Sequence, residues 1–152
     1  MTELFEEIMD LYSKQIDLIG QFNSLSAEKT KILKSNDLSM LNSMIKYEEA
    51  LLMKFSLTEN RKQKALNILK NQYGIRKFTK RVMHKYLEPD QRKKAERLTR
   101  KYYENMNEQA RLKNVNVKIV ETRLEDLRSA LDIIDKKSSR YFNSNVLVDK
   151  RV

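Results

Sequence analysis

Apolar side chains step along the first half of the chain at alternating intervals of three and four. Leu4, Ile8, Leu11, Gln15, Leu18, Phe22, Leu25, Lys29 and Ile32 form one series. After a polar break at Ser35-Asn36-Asp37 a second runs through Leu38, Leu41, Ile45, Glu48, Leu52, Phe55, Glu59, Lys62, Leu66, Leu69 and Tyr73. This spacing puts each series on one stripe of an α-helix. Two such helices joined by a few residues fold back as an antiparallel hairpin. The expected bounds are about 2–34 and 37–73. Asp37 suits the N-cap of the second helix, and Gly74 suits the left-handed residue that closes it. Gly20 lies inside the first helix, where it costs about 1 kcal/mol relative to Ala without breaking so long a pattern. Glu48, Glu59 and Lys62 interrupt the second stripe and are expected at the ends of the contact or in a wetter layer.

From Ile75 to Leu87 the pattern is short and basic, with Phe78, Val82, Met83 and Tyr86 spaced for one helical face, and a short helix over 76–87 is expected. Pro89 and Asp90 restart a helix, Pro suiting its first position and an acid its first turn. A stripe of Leu98, Tyr102, Met106, Gln109, Leu112, Asn116, Val120, Leu124, Leu127, Leu131 and Ile134 carries that helix over about 89–135, with Gln109 and Asn116 on the buried side. Beyond Lys136 the periodicity fades through Ser138–Asn145, and Val146, Leu147 and Val148 make a small apolar cluster. The expected fold is all-α: a long antiparallel hairpin plus a third long helix in a coiled-coil-like bundle over 1–137. A mobile C-terminal tail over 138–152 completes it.

Composition narrows this. Two Gly and one Pro in 152 residues fit a nearly all-helical domain. The absence of Cys excludes a disulfide scaffold and thiolate metal sites and fits a reducing compartment. Met1 leads directly into an amphipathic, acid-rich helix, so no secretion signal is expected. No apolar run approaches the ~20 residues that span a bilayer. The expectation is a cytoplasmic protein without membrane insertion. Residues 1–60 carry six basic and ten acidic side chains, a balance of −4, so the net charge of +10 leaves +14 on the remainder. The density peaks over 76–101, with eleven cations against Glu88, Asp90 and Glu96. Such asymmetry favours an acidic partner or neighbour.

Candidate chemistry is sparse. His84 stands among Lys80, Arg81 and Lys85 with no second ligand at metal spacing. With glycines only at 20 and 74, no phosphate-cradling loop can form. Adjacent pairs such as Glu6-Glu7 and Glu48-Glu49 point to different helix faces. Neither an enzyme nor a cofactor site is expected. The basic stretch, through Arg92, Lys93, Lys94 and Arg97, supplies the alternative of an adaptor that binds nucleic acid or another acidic partner. It lacks a docking motif, and its other reading is a solvated face. The methionines (Met9, Met40, Met44, Met53, Met83 and Met106 among them) suit either core gaps or adaptable binding surfaces.

Residues 33–52 end one helix, turn at Asp37-Leu38 and enter a second helix carrying Leu41 and Glu49-Ala50-Leu51-Leu52. Further on stand Asn107-Glu108 with Leu112, and a terminus of Leu147-Val148-Asp149-Lys150-Arg151-Val152. In order and spacing these resemble the FlgN family of flagellar export chaperones. Glu48 and Ala110 depart from the family's usual Lys and second Asn. The resemblance implies a cytoplasmic chaperone of type III export that holds hook-associated (hook–filament junction) proteins unassembled. It would bring them to the export gate, whose components are then further partners. It also implies client binding in the C-terminal part. The residues favour the same place, because the tail is partly apolar and unpatterned. The expected mode is a client's amphipathic helix packed on Leu124, Leu127, Leu131 and Ile134, with Tyr141, Phe142, Val146, Leu147 and Val148 closing over it. Packing within the bundle is the rival use of Leu124 and Leu127. Self-association is a third possibility, since a homodimer would hide an apolar stripe left open by the bundle.

Overall fold

The computed structural model describes the backbone of residues 2–151 and the side-chain surroundings of residues 3–141. It contains α1 (Thr2–Lys34), α2 (Leu41–Tyr73), α3 (Lys80–Tyr86) and α4 (Pro89–Arg151), with no strand among the described residues. The fold is the expected all-α bundle. α1 is its centre: α2 returns antiparallel along one side, and α4 runs parallel to α1 along another. No Cα of α2 comes within 8 Å of a Cα of α4 among the described residues.

That central position requires two apolar stripes on α1. Phe5, Met9, Ile16, Ile19, Ser26 and Leu33 are buried in addition to Ile8, Leu11 and Gln15. Polar contacts separate the two faces. Gln15 and Lys29 meet Glu59 and Glu48 of α2. Ile16 and Thr30 instead meet Asn105 and Asn116 of α4, and Tyr12 lies between the faces, against Tyr102 of α4 and Lys62 of α2. Apolar packing is densest near the α1 N-terminus, where Phe5, Ile8, Met9 and Ile16 meet Ala65, Leu69, Leu87, Ala95 and Leu98. Burial of each large side chain there contributes about 2 kcal/mol.

The element ends follow local chemistry. Asp37 does not cap α2. Its carboxylate accepts the Ser39 N–H at 2.9 Å and shapes the turn, and α2 starts at Leu41 without a side-chain cap. The Ser39 hydrogen bonds lower the Asp37 carboxyl against a small opposing effect of burial. The other end of α2 behaves as its sequence demands. Gly74 is left-handed (φ 61°), and Ile75 N–H reaches back to Lys70 O at 2.9 Å while its side chain is buried. α3 begins at Lys80, later than the expected 76, because the Thr79 hydroxyl accepts the Val82 N–H and caps it there. Pro89 opens α4, and Gln91 Oε1 accepts the Glu88 N–H at 3.0 Å, half of a capping box.

Two expectations about stripes and bounds are revised. On α2 the buried line passes through Met44 and Leu51, so Ile45 and Leu52 are exposed, as is Leu38 in the turn before it. Lys62, expected at an end of the contact or in a wetter layer, is instead buried. α4 does not end near Asp135; its backbone is helical through Arg151. No Gly or Pro follows Pro89, and Asp132 stands four residues before Lys136, so loss of apolar period removes packing without supplying a stop.

Candidate functional site

A polar layer crosses the lower bundle. Gln15 is fully buried; it donates to Glu59 Oε2 at 2.5 Å and accepts from Lys62 Nζ at 2.9 Å. Lys62 Nζ also pairs with Glu59 at 2.8 Å and lies 4.3 Å from the Tyr12 ring centre. Partial burial works to raise the Glu59 carboxyl, but hydrogen bonds from Lys62, Gln15 and Gln63 and the Lys62 charge outweigh it and hold it at about 2. Burial, with the Glu59 charge adding to it, raises the Tyr12 and Tyr102 phenols. The Gln15 amide, the Glu59 carboxylate and the Lys62 ammonium are all partnered, so the layer holds α1 to α2 rather than offering a reactive site. A second polar ladder joins α1 to α4. Asn23 donates to Asn105 O at 3.0 Å, Asn116 donates to Ser26 O at 3.1 Å, and Thr30 bonds the Asn116 amide oxygen. Gln109 and Asn116 are thus on the inner side, as their register predicts.

Above that layer α2 and α4 leave an open groove whose floor is α1. It has a volume of about 660 Å³. Leu18, Phe22 and Leu33 form its floor, Leu51, Leu52 and Phe55 one wall, and Met106, Val117 and Val120 the other. Lys29 and Glu48, paired at 3.2 Å, and Lys113 and Glu121 supply charge at its edges. The groove was not anticipated as a site. A visible signal was the surplus of apolar positions: α1 carries two stripes, and α2 has Leu52 beside the buried Leu51.

The stripe read along α4 divides in two. Up to Asn116 its residues face α1, except Met106, which is exposed on the groove wall. Arg123 donates to Ser35 O at 2.5 Å, and there the support ends. From Leu124 to Tyr141 every residue is exposed. Leu124, Leu127, Leu131 and Ile134 are 47%, 56%, 49% and 56% exposed, so the bundle does not use them as core. Tyr141 is exposed as well. The side chains of Phe142, Val146, Leu147 and Val148 lie outside the described residues.

The basic stretch is partly occupied. Lys94 pairs with Glu6 at 2.7 Å, and Arg92 touches His84 Nδ1, while Lys93 and Arg97 are exposed. No group of three or more His, Asp and Glu side chains among the described residues stands where it could hold a metal ion. Nor is any described helix long and apolar enough to cross a membrane.

Long helices, an open apolar groove and a bare apolar stripe form a surface suited to other polypeptides. The chain belongs to the FlgN family: the family described as "FlgN protein" matches residues 1–145. Its general role is therefore that of a flagellar export chaperone, a binder of flagellar export substrates. No curated protein and no solved structure matches the chain.

Proposed function

We propose that this chain is a cytoplasmic chaperone for hook-associated proteins. It receives the amphipathic terminal helix of such a client on the exposed face of α4 at Leu124, Leu127, Leu131 and Ile134. Tyr141, Phe142, Val146, Leu147 and Val148 extend the contact. The client is thereby kept from assembling and brought to the export gate. The observation that carries this reading is the exposure of all four helix residues at a spacing that presents one continuous stripe. A client helix laid along it buries apolar area on both partners, the helix-in-groove mode of recognition. Binding of this kind depends little on salt, unlike phosphate binding through Arg92, Lys93, Lys94 and Arg97.

Calorimetric titration with C-terminal peptides of hook-associated proteins tests it. The full chain is expected to bind, and Leu127→Asp/Leu131→Asp to lose at least about a hundredfold in affinity, since two apolar anchors are each worth 1.5–3 kcal/mol. Undiminished binding by the double variant would overturn the assignment of the site. Absence of binding by the unaltered chain would overturn the client.

A further inference from the structure

The exposed face of α4 is longer and more regular than a single docking patch. Val117, Val120, Leu124, Leu127, Leu131 and Ile134 follow one another at steps of 3, 4, 3, 4 and 3, and all six are at least 40% exposed. They occupy alternate a and d positions of a coiled coil. Val117 and Val120 also wall the groove, so stripe and groove form one surface. From Leu124 to Tyr141, about 27 Å, every side chain of this helix is exposed, and an isolated amphipathic helix draws little stability from an apolar face left uncovered.

We propose that a second copy of this chain covers it, α4 pairing antiparallel with α4 about a twofold axis level with Glu125 and Asp126. Val117 then meets Ile134 of the second copy, Val120 meets Leu131, and Leu124 meets Leu127, each twice by symmetry. All six layers are apolar. The charges flanking the stripe select this register. Glu121 and Arg128, both exposed and free of ion pairs among the described residues, fall opposite each other at two symmetric places. Sliding by one heptad in one direction sets Arg128 against Arg128; in the other it sets Glu121 against Glu121. The first of these slides also sets Ser138 against Val120. Parallel pairing would oppose Arg123 and Arg128. In the favoured register the distal α4 of each copy passes over the groove of the other, its Tyr141 level with the wall between Met106 and Lys113.

Sedimentation equilibrium of the full chain decides this without any client. The expected result is a rise from 18.1 kDa towards twice that mass between micromolar and near-millimolar concentration. Leu127→Glu should remain monomeric at every concentration with the bundle's urea midpoint unchanged, because Leu127 has no role in the bundle. Arg128→Glu replaces two attractive pairs by two repulsive ones and should weaken the dimer about tenfold. The exchange Glu121→Arg/Arg128→Glu should restore it. Since the chain has no Cys, Glu121→Cys and Arg128→Cys variants can be mixed and oxidised, and a disulfide should form between the two and within neither alone. A monomer at every concentration, a dimer that survives Leu127→Glu, or self-linking of Glu121→Cys would each overturn the proposal.

Discussion

Lys62 is the residue on which the lower bundle turns. A buried ammonium is costly unless its donors are used, and here Gln15 Oε1, the Glu59 carboxylate and the Tyr12 face receive it. Lys62→Ala strips the fully buried Gln15 and its partner Glu59 of a donor and is expected to cost about 2–3 kcal/mol in urea denaturation at neutral pH. The same layer gives a pH signature. Glu59 is held at about 2 against an ordinary value of 4.5, so its ionised form is favoured by folding. That stability is complete above pH 4.5 and is lost as the pH falls towards 2. Denaturation midpoints measured across this interval should therefore fall with acid in the unaltered chain. Glu59→Gln, which has no proton to take up, should fall less steeply.

Among the elements, what the sequence made legible depended on whether one neighbour or two determined a pattern. α1 and the end of α2 are local problems, and Lys34 and Gly74 close them where expected. Gly74 at φ 61° is in the region that Cβ disfavours, although nothing lies within 4 Å of where that atom would stand. Gly74→Ala is thus expected to lower stability by about 1 kcal/mol through backbone strain alone, measurable as a shift in denaturation midpoint at constant slope. The start of α2 was less legible, because Asp37 satisfies Ser39 just as well as a helix end. The second stripe of α1 was present in the sequence at Phe5, Met9, Ile16 and Ile19. It was hidden by the assumption that a helix of a hairpin buries one face. The misplacement of Ile45 and Leu52 has the same origin: a 3–4 series can be drawn through either of two adjacent lines, and only the tertiary contact selects one. The sequence left Leu124 and Leu127 open between core and surface, because one stripe serves both; the groove needs three helices at once and has no signature along any one of them.

For the molecule as a whole, α4 divides into a part that builds the bundle and a part, exposed throughout its described side chains, to which the proposed function assigns capture. Its first part, as far as Arg123, supplies one side of the bundle through Ala95, Leu98, Leu112 and Asn116. From Leu124 to Tyr141 every described side chain is exposed. The two halves should therefore come apart in experiment. A chain ending at Arg123 keeps the core of Phe5, Ile8, Leu69 and Leu98, both polar layers and the Gly74 turn. Its urea midpoint is expected to match that of the full chain within about 0.5 kcal/mol, the scatter of changes that touch no buried group. Helical circular dichroism should fall by the residues removed, and titration with hook-associated C-terminal peptides should give no heat of binding. A large loss of stability would mean that distal α4 folds against the bundle, and the stripe would then belong to the core. Retained stability with lost capture is what a holding chaperone requires, because its apolar face can be given to a client without being taken from its own fold.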